Sequence, residues 1–322
     1  MNAIHHIVVA LAALLAAGDA LAQANYPDKP VRIIVGFTAG SATDITARIF
    51  AQKFSEAWSV PVTVENIPGA GGTVAIDRVV KAPPDGYTLA YAANGAMTIA
   101  PSLQDKLSYD SANDLAPISL VLTMPSIVAV NNDVPATSFR QLIALARAQP
   151  GKLSYATPGA GTPQHIAGEL LKILAGVDII HVPYRGAVFT DVIGGRVTIA
   201  WQNAGSMLAT VREGKLRGLA VTSLNRSPNV PELPTIAESG FPGFEATSWF
   251  ALLAPTGTPA PIVEKVRSDA AKILGDPKLR GRFAQLGLDT VGGSPDELAA
   301  VIKADIAKWA KVIRDAGIKA SE

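Results

Sequence analysis

Short β-branched runs, each followed by a small-residue turn and then a helical pattern, dictate most of what this chain can become. Val31-Arg32-Ile33-Ile34-Val35 reads as a strand. Thr43 to Trp58 reads as a helix with Ile45, Ile49, Ala51 and Phe54 along one face. Val62 to Glu65 and Tyr87 to Ala93 are the next strands, with a Gly-rich turn and a helix from Thr73 to Lys81 between them. A second series opens at Ile127 to Val130. It continues through a helix (Ser138 to Ala148), a strand (Leu153 to Ala156), a helix (Thr162 to Leu174) and strands at Ile179 to Val182, Val197 to Trp201 and Leu219 to Val221. Strands joined by single helices imply parallel βαβ units with right-handed crossovers. Pro and Gly crowd Pro228 to Gly243, the sign of a loop returning to the first unit, where Trp249 to Leu253 adds a strand. The tail is helical over Pro261 to Leu274, Asp276 to Leu286 and Pro295 to Asp315. Ser294 is the expected N-cap of the last of these. The expectation is an α/β fold of two lobes, each a mainly parallel sheet flanked by helices, with a ligand cleft between them.

At 322 residues the chain is long enough for two cores, and 28 basic against 27 acidic side chains leave a net charge of +1. No basic excess exists to displace counterions from phosphates, so nucleic acid is excluded as a partner class. Zero cysteines exclude disulfides, thiolate nucleophiles and thiolate metal sites. Residues Ile7 to Ala17 form an apolar run too short to span a bilayer, and Ala20-Leu21-Ala22 follows as an A-x-A cleavage signature. Residues 1–22 are therefore read as a signal peptide, with Ala22-Gln23-Ala24 as the alternative cut, and the mature chain as exported to the periplasm. The n-region departs from the usual pattern, offering His5 and His6 but no Lys or Arg.

Enzyme signatures fail in turn. Val74 and Gln164 stand where a G-x-G-x-x-G motif needs its third glycine, and neither a P-loop nor a G-x-S-x-G elbow occurs. His165 and His181, with Glu169 and Asp178 nearby in sequence, lack the i, i+4 His spacing of a helical metal site; neither metal nor cofactor is expected. Two turns remain. Gly36-Phe37-Thr38-Ala39-Gly40-Ser41-Ala42-Thr43-Asp44 joins the first strand to the first helix. Thr157-Pro158-Gly159-Ala160-Gly161-Thr162-Pro163 does so in the second half. There Thr162 is the expected N-cap and Pro163 the first helical residue, so free N–H groups point out of the turn. Glycines admit a ligand close to the backbone, and the helix dipole favours an anion. The hydroxyls of Thr38, Ser41, Thr157 and Thr162 add donors. Ordinary βα turns use the same residues, so this pattern alone leaves both readings open. The Asp44 charge would repel a carboxylate; it is expected to orient the loop by accepting N–H bonds, or to reach a water or a ligand ammonium.

Several longer motifs occur in order: Tyr26-Pro27-Asp28-Lys29-Pro30-Val31-Arg32, the Pro68 to Gly72 turn, Pro84-Asp85-Gly86-Tyr87-Thr88-Leu89, Tyr155 to Gly161, His165-Ile166-Ala167-Gly168-Glu169-Leu170 and His181-Val182-Pro183-Tyr184-Arg185-Gly186. The series resembles the Bug receptors, the periplasmic solute-binding proteins of tripartite tricarboxylate transporters, over essentially the whole mature chain. The resemblance implies a type II-like periplasmic binding protein fold that closes on a small carboxylate and works with transporter membrane subunits, as a monomer and without catalysis. Carried over residue by residue, it implies a first loop of Phe37, Thr38, Ala39, Gly40, Ser41 and Asp44. The second loop is Thr157, Gly159, Ala160, Gly161 and Thr162, followed by His165, and Tyr184, Arg185, Asp191 and Asn203 lie farther along the rim. One lobe is expected to comprise residues 26–125 plus 248–322 and the other 126–247. Two departures fall at the loops: Ala39-Gly40-Ser41 stands where the family commonly reads Pro-Gly-Gly, and Ala187-Val188-Phe189-Thr190 replaces a longer Pro-containing segment before Asp191. Two other outputs stay open, a sensory receptor docking to a signalling partner, and an exported hydrolase using Ser41 or Thr162 with His165.

Overall fold

The computed structural model describes residues 26–104, 106–184 and 188–319. The leader expected over 1–22, Arg185 and the Gly186-Ala187 part of the shortened segment lie outside these. The first half runs β1 (Val31–Val35), α1 (Ala42–Trp58), β2 (Val62–Asn66), α2 (Thr73–Val80), β3 (Thr88–Ala93), a π turn over Gly95–Ile99, α3 (Ala100–Leu103) and β4 (Leu115–Met124). The second half runs β5 (Ser126–Val130), α4 (Phe139–Ala148), β6 (Ser154–Thr157), α5 (Pro163–Ala175), β7 (Ile180–Pro183), α6 (Val188–Ile193), β8 (Ile199–Asn203), α7 (Ala204–Arg212) and β9 (Arg217–Val221). The chain then returns through β10 (Ser248–Pro255), α8 (Ala260–Gly275), α9 (Pro277–Gln285), β11 (Asp289–Thr290) and α10 (Pro295–Asp315).

These strands form two sheets, ordered β11-β4-β10-β3-β1-β2 and β7-β6-β8-β5-β9. The β2-β1-β3 and β7-β6-β8 ladders are parallel, as βαβ units require. The remaining pairings are antiparallel, and for those of β10 and β5 the reason is that the strand has arrived from the other lobe. Ser248 begins β10 opposite the end of β4, and Phe250 pairs with Ala93 at the end of β3. Ser126 likewise begins β5 opposite Asn203 at the end of β8. A strand entering from the cleft must start where the parallel strands finish, so it runs against them. Pro125 alone separates β4 from β5.

Each sheet is covered on both faces, and its strands are apolar accordingly: β3, β5 and β10 are buried at every position. Phe50, Phe54, Tyr91 and Phe283 fill one face of the first sheet, while Ile76, Met97 and Leu298 fill the other. In the second sheet Phe139, Tyr155 and Trp201 lie on one side and Met207 and Val192 on the other. Helix α10 is shared. It starts at a capping box between Ser294 and Glu297, buries Leu298 and Ile302 against the first sheet, and ends with Trp309, Val312 and Ile313 in the core of the second.

Candidate functional site

A cavity of about 630 Å³ lies where the ends of both sheets meet. From the first lobe it is lined by Phe37, Ala42 and Thr43 after β1, by Ala70 and Gly71, and by Asn94 and Gly95 after β3. From the second lobe come Ala160, Gly161, Thr162, Pro163 and Gln164, together with Asn203 at the end of β8. Met124, Ser248 and Phe250 complete the wall from the crossing strands, and Ile99, Ala100 and Leu103 form an apolar flank. No charged residue is among those lining it.

The two helices that open onto this cavity begin in the same way. Ser41 caps α1, its Oγ accepting the Asp44 N–H at 3.2 Å, and Thr162 caps α5 by accepting the His165 N–H at 3.4 Å. In each turn the third helical side chain reaches back to the glycine before the cap. The Asp44 Oδ2 accepts Gly40 N–H at 2.9 Å, and the His165 Nδ1 accepts Gly161 N–H at 3.0 Å. Ser41 N–H goes to the Thr38 carbonyl and Gly159 N–H to the Thr157 hydroxyl. The glycine amides expected to grip a ligand are thus engaged within their own turns. Among the described residues, the N–H groups of Ala42, Thr43, Ala160, Thr162 and Gln164 have no internal acceptor, and all five residues line the cavity. Ala42, Thr43 and Gln164 lie in the first helical turn, where a helix leaves its N–H groups unpaired.

The expected site residues fall into three groups. Phe37, Ala160, Gly161, Thr162 and Asn203 reach the cavity. Ser41, Asp44, Thr157, Gly159 and His165 do not line it and fix the turns, while Thr38, Ala39 and Gly40 are exposed. Tyr184 and Asp191 pair with each other instead, the phenol donating at 2.6 Å to a carboxylate that also receives Arg196. Asp44 is 2% exposed. Its burial favours the neutral acid, but hydrogen bonds from Arg48, Gly40 and Asn66 outweigh that and hold the carboxyl below its ordinary value. It therefore orients the loop. The hydrolase pairing is not formed: the His165 Nδ1 is turned to Gly161, and the Thr162 hydroxyl donates to the Gly159 carbonyl at 2.7 Å.

Sequence reasoning missed Asn94, Gly95, Gln164 and Ser248. Asn94-Gly95 follows the end of β3 directly, a strand-end position like the first two but without their Ser/Thr cap. Gln164 is tied to Asn203 by its side-chain amide, a pairing between distant segments that no local pattern carries. The Pro68 to Gly72 turn reaches the cavity through Ala70 and Gly71. Gly69 through Gly72 all have positive φ, and a Cβ on Gly36 would lie 2.6 Å from the Gly72 Cα. Two strand-end turns thus meet backbone to backbone, which only glycine permits.

Two α/β lobes joined by crossing strands, with helix N-termini converging on one cleft, define a bilobal solute-binding protein. The sequence profile described as "Tripartite tricarboxylate transporter family receptor" matches residues 46–318. The protein BugT of Bordetella pertussis is 34% identical over 298 residues, covering 92% of this chain and 91% of its own. Among solved structures, Rpa4515 of R. palustris with adipate is 35% identical with a TM-score of 0.77, covering 91% of this chain and 99% of that one. MatC of Rhodopseudomonas palustris with bound malate is 30% identical with a TM-score of 0.72, covering 89% and 100%. This chain belongs to the tripartite tricarboxylate transporter receptor family, the Bug receptors, a family of periplasmic binding proteins and not of enzymes. Among the described residues no helix is long and apolar enough to cross a membrane.

Proposed function

We propose that this protein is a periplasmic receptor that captures a small carboxylate and delivers it to the membrane subunits of a tripartite tricarboxylate transporter. The reading rests on one observation: residues at the starts of α1 and α5 whose N–H groups have no acceptor among the described residues line one uncharged cavity from opposite lobes. A carboxylate between them is compensated by several amide donors and by both helix dipoles, so no salt bridge is needed. Thr43, Thr162, Asn94 and Gln164 supply side-chain polarity, and the Ile99–Leu103 flank with Phe250 accepts the carbon body. An organic acid, an acidic amino acid or an aromatic acid meets these demands, and relatives holding adipate and malate support the class. We assign residues 26–125 and 248–322 to one lobe and 126–247 to the other, with α10 bracing both, and the working unit as a monomer.

The test is a thermal-shift screen of the purified protein against adipate, malate, benzoate and glutamate, with neutral and cationic solutes as controls. A ligand present at about a hundred times its Kd adds about 2.7 kcal/mol of stability and raises Tm. Stabilisation by a cation or neutral sugar with no response to any carboxylate would overturn the reading.

A further inference from the structure

Behind the second loop His165 and His181 lie face to face, ring centroids 3.9 Å apart and planes 13° from parallel. His165 is 8% exposed, and its Nδ1 accepts the Gly161 N–H, so the proton of its neutral ring sits on Nε2. The other ring holds the same turn by a second route. The His181 Nε2 is 2.7 Å from the Thr157 hydroxyl, which also receives the Gly159 N–H at 3.3 Å.

We propose that His165 is a positioning residue whose neutral ring, by holding Gly161 N–H, aims the Ala160 and Thr162 amides into the cleft, and whose protonation releases that turn. An imidazolium carries N–H on both nitrogens, so Nδ1 would then confront Gly161 N–H donor to donor. The cation would also stand in the first turn of α5, at the positive end of the helix dipole, stacked on a second imidazole. Among the described residues, the charged groups that reach the pair are Glu169 and Lys172 of α5, themselves joined at 2.9 Å. From β6 the Tyr155 ring lies 4.9 Å from that of His181, its hydroxyl turned away to Glu169 at 2.7 Å. Helix α10 meets this region through Trp309, Val312 and Ile313 of the shared core. Burial holds both imidazoles below their ordinary value of 6.5, and that of His181 is pushed down to about 4, with His165 and Lys172 adding to the effect.

The first lobe supplies an internal contrast. The equivalent acceptor there is Asp44, whose carboxyl is held below its ordinary value and so remains an anionic acceptor for Gly40 N–H in mild acid. Mild acid would therefore loosen one jaw of the cleft and leave the other set. The consequence for capture rests on the carboxylate reading, but the latch does not. A protein that binds no carboxylate yet shows the titration would fail that reading and keep this one.

The experiment is NMR on the ¹⁵N-labelled, ligand-free protein between about pH 7.5 and about pH 4.5, following ring and amide signals together. The expected result is that the Gly161 amide loses protection from exchange, corrected for pH, by roughly tenfold as the His165 ring titrates. Gly40 should stay protected. His165→Gln retains an acceptor that does not titrate, and Gly161 should remain protected throughout. Unchanged Gly161 protection across the His165 titration, or the same transition in H165Q, would overturn the proposal. The wild-type titration decides the matter by itself if the variant does not fold.

Discussion

At the scale of single residues, Asp44 does the most for the first loop. Its two oxygens accept Gly40 N–H at 2.9 Å, the Arg48 guanidinium at 2.9 and 3.0 Å, and the Asn66 amide at 2.8 Å. Asn66 passes the constraint on, donating to the Phe37 carbonyl at 2.9 Å and so placing a residue of the cavity wall. Removing the carboxylate leaves a guanidinium, an amide and a backbone N–H short of their acceptor. Asp44→Ala should cost about 2–4 kcal/mol in urea unfolding, with Asp44→Asn between it and wild type. An alanine variant as stable as wild type would show that the loop is held by other contacts.

At the scale of elements, the helix that presents the second loop is seated by a glycine. Gly168 lies mid-helix in α5, where its absent side chain makes room for the Tyr155 ring; a Cβ there would come 2.4 Å from Cε2 and 2.6 Å from Cζ. Propensity alone would reward alanine by about 1 kcal/mol. Forcing the helix off the strand costs about 1–3 kcal/mol, because the ring is pinned by its bond to Glu169 and packed beside His181. Gly168→Ala should therefore lower Tm, measured by calorimetry, despite improving the helix. A raised Tm would mean that β6 and α5 can separate freely.

At the scale of the whole molecule, the two lobes touch where the backbone of Gly205, at the start of α7, meets Leu286 and Gly287 after α9. A Cβ on Gly205 would lie 2.3 Å from the Leu286 carbonyl oxygen. Beside this contact Ser227 and Asn229 reach across to Asp289, at 3.1 and 2.8 Å. The carboxylate capture proposed above would use such surfaces as they part and return. Gly205→Ala should enlarge the radius of gyration in small-angle scattering and weaken any carboxylate found by the thermal screen. A scattering profile matching wild type would show that the lobes absorb the extra methyl without parting.

Strands β1 to β3 and β5 to β10, the longer helices, the capped helix starts at Thr162 and Ser294, and the two turns that face the cleft were legible in the sequence, because each is set by neighbours a few positions apart; β4, β11, α6, α7 and the Ser41 cap carry no such local signature and emerge only in the fold. Local chemistry could not say which amides remain free. Asp44 takes the Gly40 N–H in its expected role as a loop acceptor, but nothing local marks His165 as the acceptor that silences Gly161, and Ala42, Thr43 and Gln164 are left open in their place. Nor could it give the direction of β5 and β10, or bring Asn94, Asn203 and Ser248 to one wall, since these depend on strands crossing from one lobe to the other. The sequence by itself determined the turns; the tertiary structure decided which of their N–H groups a solute can reach, because an internal acceptor and a bound anion compete for the same donor.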